Sequence, residues 1–89
     1  MTKTIYSRQN ECLRATLVQM RKEAGLTQRQ LAARLHREHG LVGRLELGER
    51  RLDLVEFFWI CKACEASPEK TTRRLLQQFE EIQVSKESR

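Results

Sequence analysis

Between Gly25 and Arg51 the chain leaves room for little but two short helices joined by a tight turn. Gly25 stops the segment before it, as a glycine just past a helix does. Thr27 is a good N-cap, and Leu31, Ala32 and Leu35 follow at helical spacing. His36-Arg37-Glu38 reads as the turn. A second short helix then spans His39 to Leu47, with Val42 and Leu45 facing inward, and ends at Gly48. Small Ala32 and Ala33 allow the two helices to approach closely. This is a helix-turn-helix, a unit that offers its second helix to the major groove of DNA.

Three more helices complete the reading. The first spans about Arg8 to Ala24, with Leu13, Leu17, Val18 and Met20 as its apolar stripe. The fourth spans Leu54 to Cys64 behind a capping Asp53, with Leu54, Phe57, Phe58, Cys61 and Cys64 expected to face inward. Ser67-Pro68-Glu69 opens the fifth, with Ser67 as cap and Pro68 in the first helical position, and Leu75, Leu76, Phe79 and Ile82 share one stripe. No segment alternates with period two, so the expected fold is all-α, five helices in a single domain. At 89 residues there is space for one core. The expected division is a loose N-terminus at 1–7, a helix-turn-helix domain at 8–66, a dimerising C-terminal helix at 67–85 and a frayed tail at 86–89.

Charge and cysteine content narrow the function. Residues 1–51 carry eleven Lys/Arg against five Asp/Glu, whereas residues 52–89 carry six against seven. The net charge of +5 therefore belongs to the first half, as expected for a face that meets a polyanion. No run approaches the roughly 20 apolar residues of a membrane span, and Met1–Asn10 lacks the apolar run of a signal peptide. A cytoplasmic location is expected. Cys12, Cys61 and Cys64 are odd in number, which argues for free thiols. Cys61 and Cys64 stand inside an apolar helical pattern, where cysteine behaves as a small hydrophobe. No second CxxC or HxxxH completes a zinc site, so no metal or cofactor is expected. Neither histidine stands near a nucleophile, and no phosphate-cradling glycine loop is present, so the chain does not read as an enzyme.

The string Arg21-Lys22-Glu23-Ala24-Gly25-Leu26-Thr27-Gln28, followed by Gln30-Leu31-Ala32, Arg44-Leu45-Glu46, Gly48-Glu49-Arg50 and Leu52 to Phe57, is similar to the lambda-repressor-like family of regulators (Cro/CI type, also called XRE). The resemblance spans about residues 10–66. It implies a five-helix DNA-binding domain whose partner is a double-stranded DNA operator. Gln28 would hydrogen-bond a backbone phosphate at a helix N-terminus. Arg21 and Glu46 would form a buried structural ion pair. Base edges would meet His39, Gly40, Gly43 and Arg44, with Arg44 positioned to contact guanine through its bidentate fork. Arg50 and Arg51 would hold phosphate, while Arg29, Arg34 and Arg37 form a generally attractive basic face.

Two departures stand out. Gly40 and Gly43 replace residues commonly able to hydrogen-bond bases, and His36 stands where a turn glycine is usual. Leu41 and Leu47 are expected to add apolar bulk near the same surface. A single helix-turn-helix reads few base pairs, so a homodimer on a two-fold site is expected. Val55 and Trp59, left over by the inward stripe of the fourth helix, are assigned to its interface together with Leu75, Leu76, Phe79 and Ile82. The alternative for the fifth helix is that it folds back over Trp59. The expected function is a sequence-specific transcriptional regulator, a repressor acting by occupancy. The alternative is a protein-binding module on the same fold, an antitoxin or anti-activator with relaxed DNA reading. Either leaves room for a second regulatory protein.

Overall fold

Each helix boundary has a local chemical cause. In the computed structural model, which describes residues 4–87, the helices are α1 (Ile5–Glu23), α2 (Gln28–Arg34), α3 (Gly40–Leu47), α4 (Leu54–Ala63) and α5 (Pro68–Glu87). Thr4 caps α1 by accepting from the Ser7 N–H at 3.0 Å, so that helix starts three residues before the expected Arg8. Thr27 and Gln30 form a reciprocal capping box at α2, and Asp53 and Glu56 form another at α4. Ser67 accepts from the Lys70 N–H in front of Pro68, the pattern expected for α5. The remaining expectations of loose ends, at 1–3 and 88–89, lie outside the described residues; the expected tail at 86–87 is helical.

Four of the helices end in the same way. After α1, Gly25 takes a left-handed φ of 72° while Leu26 N–H reaches back to the Arg21 carbonyl at 3.1 Å. Gly48 does this after α3, with φ 80°. His36 and Glu65 do it after α2 and α4, although neither is glycine. At His36 the Arg37 N–H bonds the Ala32 carbonyl at 3.0 Å, which satisfies the helix end despite a backbone region that side chains disfavour.

The core draws on every helix. Leu17 and Met20 of α1, Leu31 and Ala32 of α2, Leu41, Val42 and Leu45 of α3, Phe57, Ile60 and Cys61 of α4 and Leu75 of α5 are buried together with Leu26 and Cys64. The α2–α3 approach uses Ala32, while Ala33 is exposed. Three expectations are corrected here. Leu41 is a core residue and adds nothing to the surface. On α4 the inward set is Phe57, Ile60, Cys61 and Cys64, which leaves Leu54 77% exposed and Phe58 outward as well. Leu75 is only 4% exposed inside the chain's own core, so it is unavailable to a partner.

Helix α5 lies against α1 and α4. Gln9 Nε2 donates to the Phe79 carbonyl at 3.0 Å, and Cys12 Sγ donates to Gln78 Oε1 at 3.0 Å. Phe79 is half-buried against the core, and Trp59 is not covered by this helix. The helix assigned to dimerisation is therefore also a wall of the domain. Among the described residues no strand occurs, and no helix is long and apolar enough to cross a membrane.

Candidate nucleic-acid interface

The helix-turn-helix is locked to α1 by one polar knot, largely buried at Arg21 and Glu46 and exposed at Gln28. Arg21, at the end of α1, donates from Nε to Glu46 Oε2 at 2.7 Å and from Nη2 to Glu46 Oε1 at 3.2 Å. Its Nη1 donates to the Leu26 carbonyl at 2.9 Å. The two side chains are 12% and 8% exposed. Gln28 closes the knot by donating from Nε2 to Glu46 Oε1 at 2.7 Å. The hydrogen bonds that Glu46 accepts hold the Arg21 guanidinium protonated beyond its already high ordinary range, although burial opposes this.

That arrangement changes the part assigned to Gln28. Its amide donor is committed to Glu46, so a phosphate contact by this side chain requires it to leave that partner. It also explains Gly43. A Cβ built there would lie 3.3 Å from Gln28 Oε1, tighter than ordinary contact. The glycine is the floor across which the Gln28 amide reaches α3.

The outward side of the motif carries the expected DNA-facing residues. Arg29, Arg37, His39 and Gly40 are exposed, and Gly43 and Arg44 are half-exposed. His39 precedes α3 without a side-chain capping bond. Arg44 is ion-paired with Glu38, from the turn. Arg29 makes no side-chain hydrogen bond or ion pair with the described residues.

Arg50 departs from its expected role. It donates to Glu56 from Nη1 at 2.9 Å and Nη2 at 2.7 Å, and Nη1 also reaches the Arg51 carbonyl at 3.0 Å. Arg37 shares the same carboxylate at 3.3 Å. Arg50 is thus a brace between the α3–α4 loop and α4. Arg51 lies 5.6 Å from the centroid of the Tyr6 ring, over its face, and remains exposed. Arg34, expected on the basic face, donates to the Ala63 carbonyl at 2.8 Å.

Sequence reasoning missed Glu56 and Glu38. Glu56 had a readable signal, since a Glu three residues after a capping Asp completes a capping box. Its second job, gathering two arginines, is tertiary and left no local trace. The Arg50 hydrogen bonds, then the Asp53 N–H and Arg37, pull its carboxyl from an ordinary value near 4.5 to about 2. A carboxyl depressed in the folded state contributes stability above about pH 4.5 that is lost as pH falls toward 2. The full linkage value is about 3 kcal/mol, which solvent screening lowers to about 1–2 kcal/mol. Glu56→Gln is expected to remove that part of the acid destabilisation. Thermal unfolding at pH 7 and pH 3 should show a smaller drop in Tm for the variant than for the parent; equal drops would refute the assignment.

The cysteines sit apart from this surface. Burial pushes the Cys61 thiol up to about 11, and Cys64 is raised for the same reason. Both thiols are thereby held toward the protonated form, which lowers their nucleophilicity. Val55 and Trp59 are 65% and 56% exposed. With Leu54 and Phe58 they make the first half of the outward face of α4 apolar, with the exposed Lys62 beyond it, and the Phe58 and Trp59 rings meet edge to face at 5.0 Å. Of the α5 residues assigned to the same interface, Leu76 is exposed, Phe79 and Ile82 are half-buried and Leu75 is enclosed.

Comparison with known proteins agrees with this geometry. A family described as "Helix-turn-helix domain" matches residues 13–75. Among solved structures, one titled "XRE-family like protein from Pseudomonas syringae pv. tomato str. DC3000" is 35% identical, with a TM-score of 0.79, over 83% of this chain and 90% of that one. No curated protein matches the chain.

Proposed function

The chain belongs to the XRE-type helix-turn-helix family, and on that premise we propose that it is a sequence-specific DNA-binding regulator acting as a homodimer in the cytoplasm. The observation that carries this reading is the outward side of α3. Arg44 and His39 stand there, on the half of the chain that holds all the excess positive charge. The knot of Arg21, Glu46 and Gln28 supports the same reading, because a reading helix must enter the groove at a fixed angle.

In this account Arg44 meets a guanine edge, and the exposed Arg29 and Arg51 meet phosphates on either side of it. Arg50 acts indirectly, by fixing the loop that presents Arg51. The dimer forms through Leu54, Val55, Phe58 and Trp59 of α4, with Leu76 at its edge. Occupancy of an operator that overlaps a promoter makes the protein a repressor, with no ligand needed for the binding step.

A fluorescence-anisotropy titration with labelled duplex tests the reading. At six or more phosphate contacts per dimer, affinity should fall by about 10³-fold between 50 and 200 mM salt through counterion release. An affinity almost indifferent to salt would contradict it, and would favour the protein-binding alternative with Leu47 and Trp59 as anchors.

A further inference from the structure

Arg44 does not reach freely into solvent. In a helix, side chains lean toward the N-terminus, so a residue at i+4 lies over residue i. Arg44 lies over Gly40 in this manner. A Cβ built on Gly40 would stand 2.7 Å from Arg44 Nη1 and 3.7 Å from its Cζ. The guanidinium therefore occupies the space that any other residue at position 40 would fill. From that seat its Nη2 donates to Glu38 Oε1, two residues before α3 begins. The contact faces solvent, since the Glu38 side chain is 67% exposed. The positive end of α3, which has no side-chain cap, favours a carboxylate at this place.

We propose that Glu38 and Gly40 are positioning residues that set the sequence discrimination of α3 by acting on Arg44. Resting on the DNA-reading function above, the proposal adds a competitor built into the chain. Glu38 offers the guanidinium a carboxylate whenever no better acceptor is present. A guanine edge, with O6 and N7 side by side, accepts two hydrogen bonds from the fork and replaces the lost pair. A wrong base, or a phosphate met in passing, replaces it less well, so in non-specific complexes Arg44 keeps Glu38 as its partner. The pair must break only in the specific complex, and Glu38 is therefore a brake on base reading that weakens specific binding more than non-specific binding. Gly40 leaves room for this arrangement, because a Cβ there would make the flexible end of Arg44 shift.

The test uses the full chain and a pool of random duplexes, from which the wild-type protein first enriches its preferred sequence. Affinity is then measured for that sequence and for the unselected pool. Glu38→Gln should bind the preferred sequence about threefold to fivefold tighter, the range of an exposed ion pair, while the pool gains less than about twofold. The specificity ratio rises. In an Arg44→Ala background, Glu38→Gln should change both duplexes equally and leave the ratio alone. Gly40→Ala should also raise the ratio, without lowering Tm, since alanine is the better helix former. A merely structural role for either residue would move Tm and spare the ratio. Equal ratios in wild type and Glu38→Gln overturn the proposal, as does a rise that persists in the Arg44→Ala background. Should the wild type enrich no sequence at all, the DNA-reading function fails and takes this proposal with it. Enrichment by the wild type with unaltered ratios in the variants removes only the proposal.

Discussion

Glu46→Ala is expected to destabilise the domain by about 3–5 kcal/mol, the cost of leaving a buried charge without its partner. The stranded charge is Arg21, whose side chain is 12% exposed and enclosed between α1 and α3. Its bond to the Leu26 carbonyl remains in the variant but supplies no countercharge. The Gln28 amide also loses its acceptor. The double variant Arg21→Met/Glu46→Leu removes both charges and leaves apolar volume behind. It is expected to lie within about 2 kcal/mol of the parent, because replacing a buried pair by packed hydrophobic residues is often close to neutral. Urea denaturation of the three proteins makes the comparison. A single-variant loss no greater than about 1 kcal/mol would place the pair among weak surface contacts. Since a domain of this size has only about 5–15 kcal/mol in total, Glu46→Ala should also be prone to unfold on warming.

Trp59→Glu should turn the proposed dimer into a folded monomer and weaken operator binding by about 10²-fold or more. Trp59 is 56% exposed, so a carboxylate there stays in water in the monomer and costs the fold little. In a dimer the same carboxylate would be buried against apolar Val55, Phe58 and Leu54. Stable interfaces take about 800 Å² from each partner, and aromatic side chains at their centre carry much of the energy. Two joined half-site readers bind with an effective-concentration advantage of about 10²–10⁴, which a monomer forfeits. Sedimentation velocity reads the assembly state, and anisotropy reads the affinity. A Trp59→Glu protein that stays dimeric and binds unchanged would move the interface to another face. The α5 residues give little support for such a move, because Leu75 is enclosed and Phe79 is half-buried against the core.

What was legible in the sequence was local chemistry. Gly25 and Gly48 end their helices as expected because only a left-handed residue closes those turns without strain. Thr27, Asp53 and Ser67 announce helix starts because each hydroxyl or carboxylate serves an N–H three residues ahead. The facing of α4 was harder, since six of its first seven residues are apolar and any rotation buries something plausible. Tertiary packing chose Phe57, Ile60, Cys61 and Cys64, at offsets of three, four and seven. The site divides in the same way. Arg21 and Glu46 were found by resemblance and pair as that resemblance implied. Which carboxylate holds Arg44 or Arg50 depends on how the turn and the α3–α4 loop fold back, and no spacing rule encodes it. The two glycines of α3 are the clearest example. As sequence they read as lost base contacts, whereas in the fold they are seats for Arg44 and Gln28.

The measurement that tests the account most directly is an anisotropy titration against the DNA flanking the chain's own gene, with random duplex as competitor and Arg44→Ala alongside. The account predicts wild-type binding that survives a large excess of competitor and a discrimination that Arg44→Ala reduces by about 10-fold or more, the value of one bidentate base contact. Competitor that displaces both proteins equally would contradict it, since α3 would then hold DNA without reading it.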